Sequence, residues 1–238
     1  KLAKDENNKM LIFCSPHNPV GRVWTKEELK RLSDIIIENE LITVSDEIWQ
    51  DLVMPGYEHT VLATVDPRLK DYLITSTAPS KTFNVAGLAT SNIIIESDEL
   101  REKYNLTNEK FRGGMVNVLG YKACEIAYSQ CEDWLVEAID VIDKNQNMVK
   151  EYFEKNFPKV KAPLIQGTYL QWIDFNCLGM TPEELEKFMI FDAEFITGQG
   201  YAFGEGGKGF IRLNLAVPTK VLEEGLDKLG QALKSVYK

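Results

Sequence analysis

Histidine is nearly missing from this chain: His17 and His59 are the only two in 238 residues. Imidazoles so few and so far apart do not suggest a zinc site. The four cysteines, Cys14, Cys124, Cys131 and Cys177, lack the paired spacing of metal ligands. Basic charge is also short. With 27 Lys and Arg against 36 Asp and Glu, the net charge is -9, which leaves no basic patch to neutralise nucleic-acid phosphates. No apolar run approaches the length needed to cross a bilayer, and there is no internal repeat or low-complexity segment. Cys14 and Cys177 fall in strand-like runs, so the thiols read as buried and free in a reducing, cytoplasmic compartment. What is present is a hydrophobic content of 44%, enough for a substantial core and two structural units.

Three short apolar runs, Met10 to Cys14, Leu41 to Ser45 and Tyr72 to Thr77, read as buried strands, the second and third rich in β-branched residues. Between the first two, Thr25 and Glu28 form a capping box, and Leu29, Leu32, Ile35 and Ile36 make an apolar helix face. Strand, helix and strand at this spacing predict a βαβ unit with parallel strands, hence an α/β fold. In open sheets of that kind ligands bind beyond the carboxyl ends of the strands.

A chemically suggestive residue follows each run. Asn18 lies in Pro16-His17-Asn18-Pro19-Val20-Gly21-Arg22, Asp46 in Ser45-Asp46-Glu47-Ile48-Trp49, and Lys81 in Ala78-Pro79-Ser80-Lys81-Thr82-Phe83-Asn84. Singly, each has a plain explanation: a turn for Asn18, a cap for Asp46, a solvated surface lysine for Lys81. Together, at one edge of a sheet, an amide, a carboxylate and a lysine are what a pyridoxal phosphate site requires. The lysine bonds the aldehyde as a Schiff base, and the acid keeps the pyridine nitrogen protonated so that the ring draws electrons from the substrate.

At these residues the chain resembles the fold-type I pyridoxal phosphate enzymes, the class I and II aminotransferase superfamily, and within it the C-S lyase branch of cystathionine beta-lyase relatives. The strings above, Val85-Ala86-Gly87-Leu88 and Gly209-Phe210-Ile211-Arg212-Leu213-Asn214 carry the resemblance, which spans essentially the whole chain. It implies Lys81 as Schiff-base lysine and general base, and Asp46 as partner of the pyridine nitrogen. Asn18 would donate to the ring hydroxyl and help bind substrate, and Arg212 would bind the substrate α-carboxylate.

Two positions depart from the aminotransferase pattern. Trp49 stands where many relatives have Tyr or His, and offers an indole N–H but no hydroxyl. Ala89 stands where many have a phosphate-binding Arg, which leaves the phosphate to other groups, Ser80 among them. Both departures lean away from an ordinary transaminase, and the resemblance to the C-S lyase branch implies β-elimination from a sulfur amino acid, with thiol, pyruvate and ammonia as products. The alternatives are a class I/II aminotransferase and a non-catalytic regulatory or binding module. Family members are longer, so the chain is expected to be the carboxy-terminal portion of a larger enzyme, with part of an active site; such enzymes are homodimers.

The resemblance also sets the expected domains: residues 1–130 as the remainder of a large cofactor-binding domain, its mostly parallel sheet flanked by helices, and residues 131–238 as an interdomain helix with a small α+β domain. The second half reads accordingly. Glu99 to Tyr104 and Tyr121 to Ala127 look helical. Glu132 to Phe157 reads as one long helix with Trp134, Leu135, Ala138, Ile139, Ile142 and Val149 inward. Gly167 to Phe175 and Ala193 to Thr197 read as strands, and Thr181-Pro182-Glu183-Glu184 as a capping box with Pro at the first helical position. From Gly209 to Ala216, Ile211, Leu213 and Leu215 alternate with Phe210, Arg212 and Asn214, so Arg212 projects opposite the core, as an exposed sheet arginine also would. A guanidinium fork suits a carboxylate through two parallel hydrogen bonds. The glycines between Gly198 and Gly209 lack the strand-to-helix spacing of a phosphate loop and read as a mobile loop. A closing helix carries Leu222, Leu226, Leu229 and Leu233 on one face.

Overall fold

The computed structural model describes residues 1–111 and 117–237, which divide into two compact units: Lys1–His17 with Val23–Leu135, and Asn18–Arg22 with Val136–Lys238.

The first unit is built on a four-stranded sheet of β1 (Met10–Cys14), β2 (Ile42–Asp46), β3 (Leu73–Thr77) and β4 (Asn92–Ile94), in that order. The first three are parallel, and β4, which the sequence pattern did not reveal, runs antiparallel to β3. Register puts Cys14 beside Asp46 and Asp46 beside Ser76, so the carboxyl ends of β1, β2 and β3 lie level. Between β1 and β2 runs α1 (Lys26–Glu38), opened by the expected capping box: the Thr25 hydroxyl accepts from Glu28 N–H at 3.3 Å, and the Glu28 carboxylate accepts from Thr25 N–H at 3.0 Å. Its Leu29 and Ile36 join Phe13, Leu62, Leu69 and Leu73 in one core. Each side chain buried this way contributes about 1.5–3 kcal/mol. Ile35, expected inward, is 44% exposed, because the cluster takes in Leu29, Leu32, Ile36 and Ile37 but not Ile35. A four-residue helix, α2 (Pro79–Thr82), follows β3, then α3 (Asp98–Lys110) and α4 (Val118–Gln130), both longer than the sequence pattern suggested.

The long helix α5 (Glu132–Asn156) matches expectation in extent, and in its buried face at Ile142 and Val149 only. Burial concentrates in Ile142, Asn145, Gln146, Val149 and Phe153, whereas Trp134 is 48% exposed with its ring 6.1 Å from that of Phe83. The periodicity read along the helix belonged to a face covered only in its later turns.

In the second unit, β5 (Leu170–Asp174), β6 (Gly198–Gln199) and β7 (Phe210–Asn214) form an antiparallel sheet in the order β5-β7-β6. The helix α6 (Pro182–Lys187) lies between β5 and β6, with the expected capping box and Pro start. The closing helix α7 (Thr219–Val236) buries Leu222, Leu226, Leu229 and Leu233. Asn145, wholly buried in α5, donates to the Leu215 and Val217 carbonyls at 2.8 and 2.9 Å. The 18–22 segment is held here by Gly21, whose carbonyl accepts from the N–H groups of Gln166 and Gly167 at 2.7 and 3.1 Å. Gly21 has φ +68°, and a Cβ there would run into the Ile165 side chain, so both conformation and space demand glycine.

Three expectations are corrected in this unit. Ala193 to Thr197 is not a strand: Glu194 is left-handed at φ +48° and the Phe195 N–H turns back to the Met189 carbonyl, so pairing starts only at Gly198. The glycine segment is not an open loop but two short 3-10 turns, Gly200–Phe203 and Glu205–Gly207, which cross where Gly200 and Gly207 meet backbone to backbone. Cys177 is neither in a strand nor buried: it is exposed on the 3-10 turn Asn176–Leu178, just past β5, while Cys14, Cys124 and Cys131 are half-buried; all four thiols are free.

Candidate active site

In the first unit the sequence-derived residues Asp46, Trp49, Ser80 and Lys81 come from the ends of neighbouring parallel strands. Asp46 closes β2. Its Oδ1 accepts from the Ile48 N–H at 3.2 Å, and its Oδ2 has no hydrogen-bond partner among the described residues. Lys81 lies on α2, just beyond β3, with Ser80 beside it. The Lys81 ammonium makes no ion pair among the described residues; its Nζ sits 5.7 Å from the centre of the Trp49 ring, within cation–π range. Trp49 is 3% exposed, so Lys81 rests on a buried aromatic floor.

Two polar networks, one half-buried and one buried, hold this arrangement, and sequence reading found neither. Thr82, next to Lys81, donates its hydroxyl to Asp51 Oδ2 at 2.8 Å, tying α2 to the segment that carries Trp49. The Tyr128 hydroxyl approaches the same oxygen at 3.5 Å, and burial, reinforced by the Asp51 charge, pushes the Tyr128 phenol up. Glu47, fully buried, accepts from the Ser45 hydroxyl at 2.8 Å and the Leu62 N–H at 3.2 Å and pairs with His59 Nε2 at 2.7 Å. The sequence signal for Glu47 was its position: next to Asp46 it must point away from the strand-end carboxylate and into the core.

In the second unit the structure joins Asn18 to Arg212: Arg212 Nη1 donates to Asn18 Oδ1 at 3.0 Å across a separation of 194 residues. Arg212 is the central residue of β7, beside Trp172 of β5 and Gly198 of β6. Ile211, Leu213 and Leu215 are buried on the other side, as the alternation predicts. The Arg212 guanidinium carbon lies 4.7 Å from the centre of the Phe203 ring. Trp172 meets Phe203 edge-on at 5.5 Å and stacks on Phe210 at 5.3 Å. Nearby, burial pushes the Tyr169 phenol up, with the Arg212 charge pulling it the other way.

The donor set of the first unit fits a pyridoxal phosphate group. It offers an amine free of ion pairs, a carboxylate oxygen free for a protonated ring nitrogen, and the Ser80 hydroxyl. Ala89, in a left-handed conformation at φ +48°, supplies no charge to a phosphate. No group of three or more metal-ligating side chains occurs among the described residues, and none of their helices is long and apolar enough to cross a membrane.

A parallel sheet with a lysine beyond one strand and an acid at the end of its neighbour, joined to an antiparallel unit carrying an arginine, defines a class. Residues 1–229 match the model of the aminotransferase class I and II family, and the chain belongs to that family. Among characterised proteins it is similar to cystathionine beta-lyase PatB of Bacillus subtilis (strain 168), at 38% identity over 96% of this chain and 59% of that protein. Among solved structures it is similar to cystalysin from Treponema denticola, which contains pyridoxal 5'-phosphate, with a TM-score of 0.97 and 55% identity over 98% of this chain and 59% of that one. It is also similar to the pyridoxal phosphate-bound C-S lyase from Staphylococcus hominis, with a TM-score of 0.88 and 35% identity over 97% of this chain and 60% of that one. The chain thus spans about three-fifths of the length of the relatives it matches.

Proposed function

We propose that this chain supplies the lysine, the pyridine-nitrogen acid and the carboxylate-binding arginine of a pyridoxal phosphate-dependent C-S lyase, which cleaves cystathionine or a related cysteine S-conjugate by β-elimination. The observation that carries the reading is Lys81, an amine without an ion pair among the described residues, held over buried Trp49 one strand from Asp46.

When bound, pyridoxal phosphate would supply an electron sink for the pair released as the substrate Cα–H bond breaks. Lys81 would hold its aldehyde carbon through Nζ, Asp46 would accept the ring N–H at Oδ2, and Trp49 would close the site beneath. Ser80 would donate to the phosphate, and Asn18 would give an amide N–H to the ring hydroxyl while its Oδ1 keeps Arg212. Arg212 would grip the α-carboxylate with the N–H groups that Asn18 leaves free. Freed by the incoming amino acid, Lys81 would take the α-proton as general base, and the β-carbon would then expel its thiolate. The organic fragment ends as pyruvate and ammonia.

A homodimer and a cytoplasmic setting go with this reading; sedimentation of the full-length protein checks the first. The same residues could serve transamination, and the alternatives part at the products. Full-length protein given L-cystathionine and no keto acid is expected to release ammonia and pyruvate in equal amounts. Turnover that requires an added keto acid would replace the lyase with an aminotransferase. Full function retained in Lys81→Ala would leave the non-catalytic module.

A further inference from the structure

We propose that the glycine-bearing turn Gly198–Gly209 is a clamp that fixes the direction from which Arg212 receives a carboxylate, with Phe203 as its positioning residue. The proposal deepens the reading of Arg212 as the carboxylate-binding residue and rests on it.

The turn is closed by its own backbone. A Cβ at Gly200 would strike the Gly207 and Phe210 carbonyls, and one at Gly207 would strike Gly200, so the crossing exists only because both positions are bare. This closure presents Phe203 to Arg212, 4.7 Å from ring centre to guanidinium carbon. Trp172 meets the Phe203 ring edge-on and is itself stacked on Phe210 with the two planes 11° apart. Phe203 is 42% exposed, so its ring adds little to the core, and its main contacts are Arg212 and Trp172.

The guanidinium is thereby restricted on two sides. The Phe203 ring occupies one side of it, with its centre 4.7 Å from the guanidinium carbon, and Asn18 takes a hydrogen of Nη1. The Nε and Nη2 edge remains, and there Gly198 matters: a Cβ on it would lie 3.3 Å from Nε and 3.6 Å from Nη2. Glycine at 198 keeps that edge clear. A planar carboxylate arriving in the guanidinium plane can make two parallel hydrogen bonds with it, and one arriving from the Phe203 side cannot. The group selected is a free carboxylate; an ester or amide loses the charged two-point contact.

The test compares full-length wild type with Phe203→Leu, which keeps apolar bulk but removes the aromatic face, and Phe203→Tyr, which restores it. One measurement is the rate at which phenylglyoxal modifies Arg212, read by peptide mapping and independent of any activity. The other is steady-state turnover of L-cystathionine. Loss of the ring contact in Phe203→Leu is expected to speed Arg212 modification several-fold and to raise KM roughly three- to thirtyfold with kcat little changed. Phe203→Tyr is expected to match wild type in both. Unchanged modification and KM in Phe203→Leu would overturn the clamp, as would equal damage in the Leu and Tyr variants. If wild type turns over no amino acid, the lyase reading fails, and the modification rates alone still decide whether Phe203 positions Arg212.

Discussion

In the first unit Asp46 and Lys81 sit at or beyond the ends of parallel strands, where the chain is leaving the sheet; in the second Arg212 is the middle residue of an antiparallel strand, fixed on both sides by Trp172 and Gly198. The first arrangement lets each group face an open strand end but leaves it to be steadied by side chains that reach back, Thr82 to Asp51 and Glu47 to Ser45, His59 and Leu62. The second uses the sheet ladder itself as the support, and adds only an aromatic face and one amide. In the proposed site the lysine and the acid are thus carried at strand ends, and the arginine is built into a strand.

That contrast can be broken by experiment. Lys81→Ala in the full-length protein is expected to lower kcat by about 10²–10⁴-fold while leaving the melting temperature close to wild type, since Lys81 makes no ion pair among the described residues; an active variant would end the division of labour at once. Glu47→Ala strips the acceptor from the Leu62 N–H, the Ser45 hydroxyl and His59 in a dry site, and is expected to cost about 3 kcal/mol in chemical denaturation. A loss below about 1 kcal/mol would mean that the strand-end segment needs no such anchor. Arg212→Lys replaces a planar fork with a point charge and is expected to raise KM at least about tenfold, more than it lowers kcat. A kcat-dominated loss would erase the distinction between the two units.

The smallest effect sharpens the comparison through pH. Arg68, then Lys30, hold the Asp66 carboxyl well below the usual carboxylate range. Its folded-state pKa is depressed, so its contribution is present above the unfolded value, about 3.9, and is lost as pH falls below it. Asp66→Asn should therefore flatten the acid limb of the stability curve below about pH 4 and leave the neutral region flat. An unaltered acid limb would remove this carboxylate as a source of acid sensitivity in the first unit.

Much of the first unit was legible because its signals are local. A strand, a turn and a reactive residue within a dozen positions can be read together, and the Thr25–Glu28 box lies within one helical turn, as does the Thr181–Glu184 box of the second unit. The Arg212 surroundings were not legible, because Asn18 is 194 positions away and the Phe203 contact depends on a backbone crossing that no periodicity encodes. The false strand at Ala193 to Thr197 has the opposite cause: β-forming side chains there are overridden by one left-handed residue, Glu194. Glu47 and His59 were hidden because their pairing in the interior is a tertiary fact, and Glu is by type a surface residue.

The exposure of Cys177 has a practical side. It is the most accessible of the four thiols, and it stands on a turn beyond β5 in the same unit as Arg212. Partial desolvation of its sulfur, with help from the Asp174 charge, pushes its thiol up, so a maleimide or a spin label will attach faster as the buffer is made more alkaline. A short labelling pulse near pH 8, where the half-buried cysteines react more slowly, would give the second unit its own spectroscopic reporter without a new cysteine being introduced.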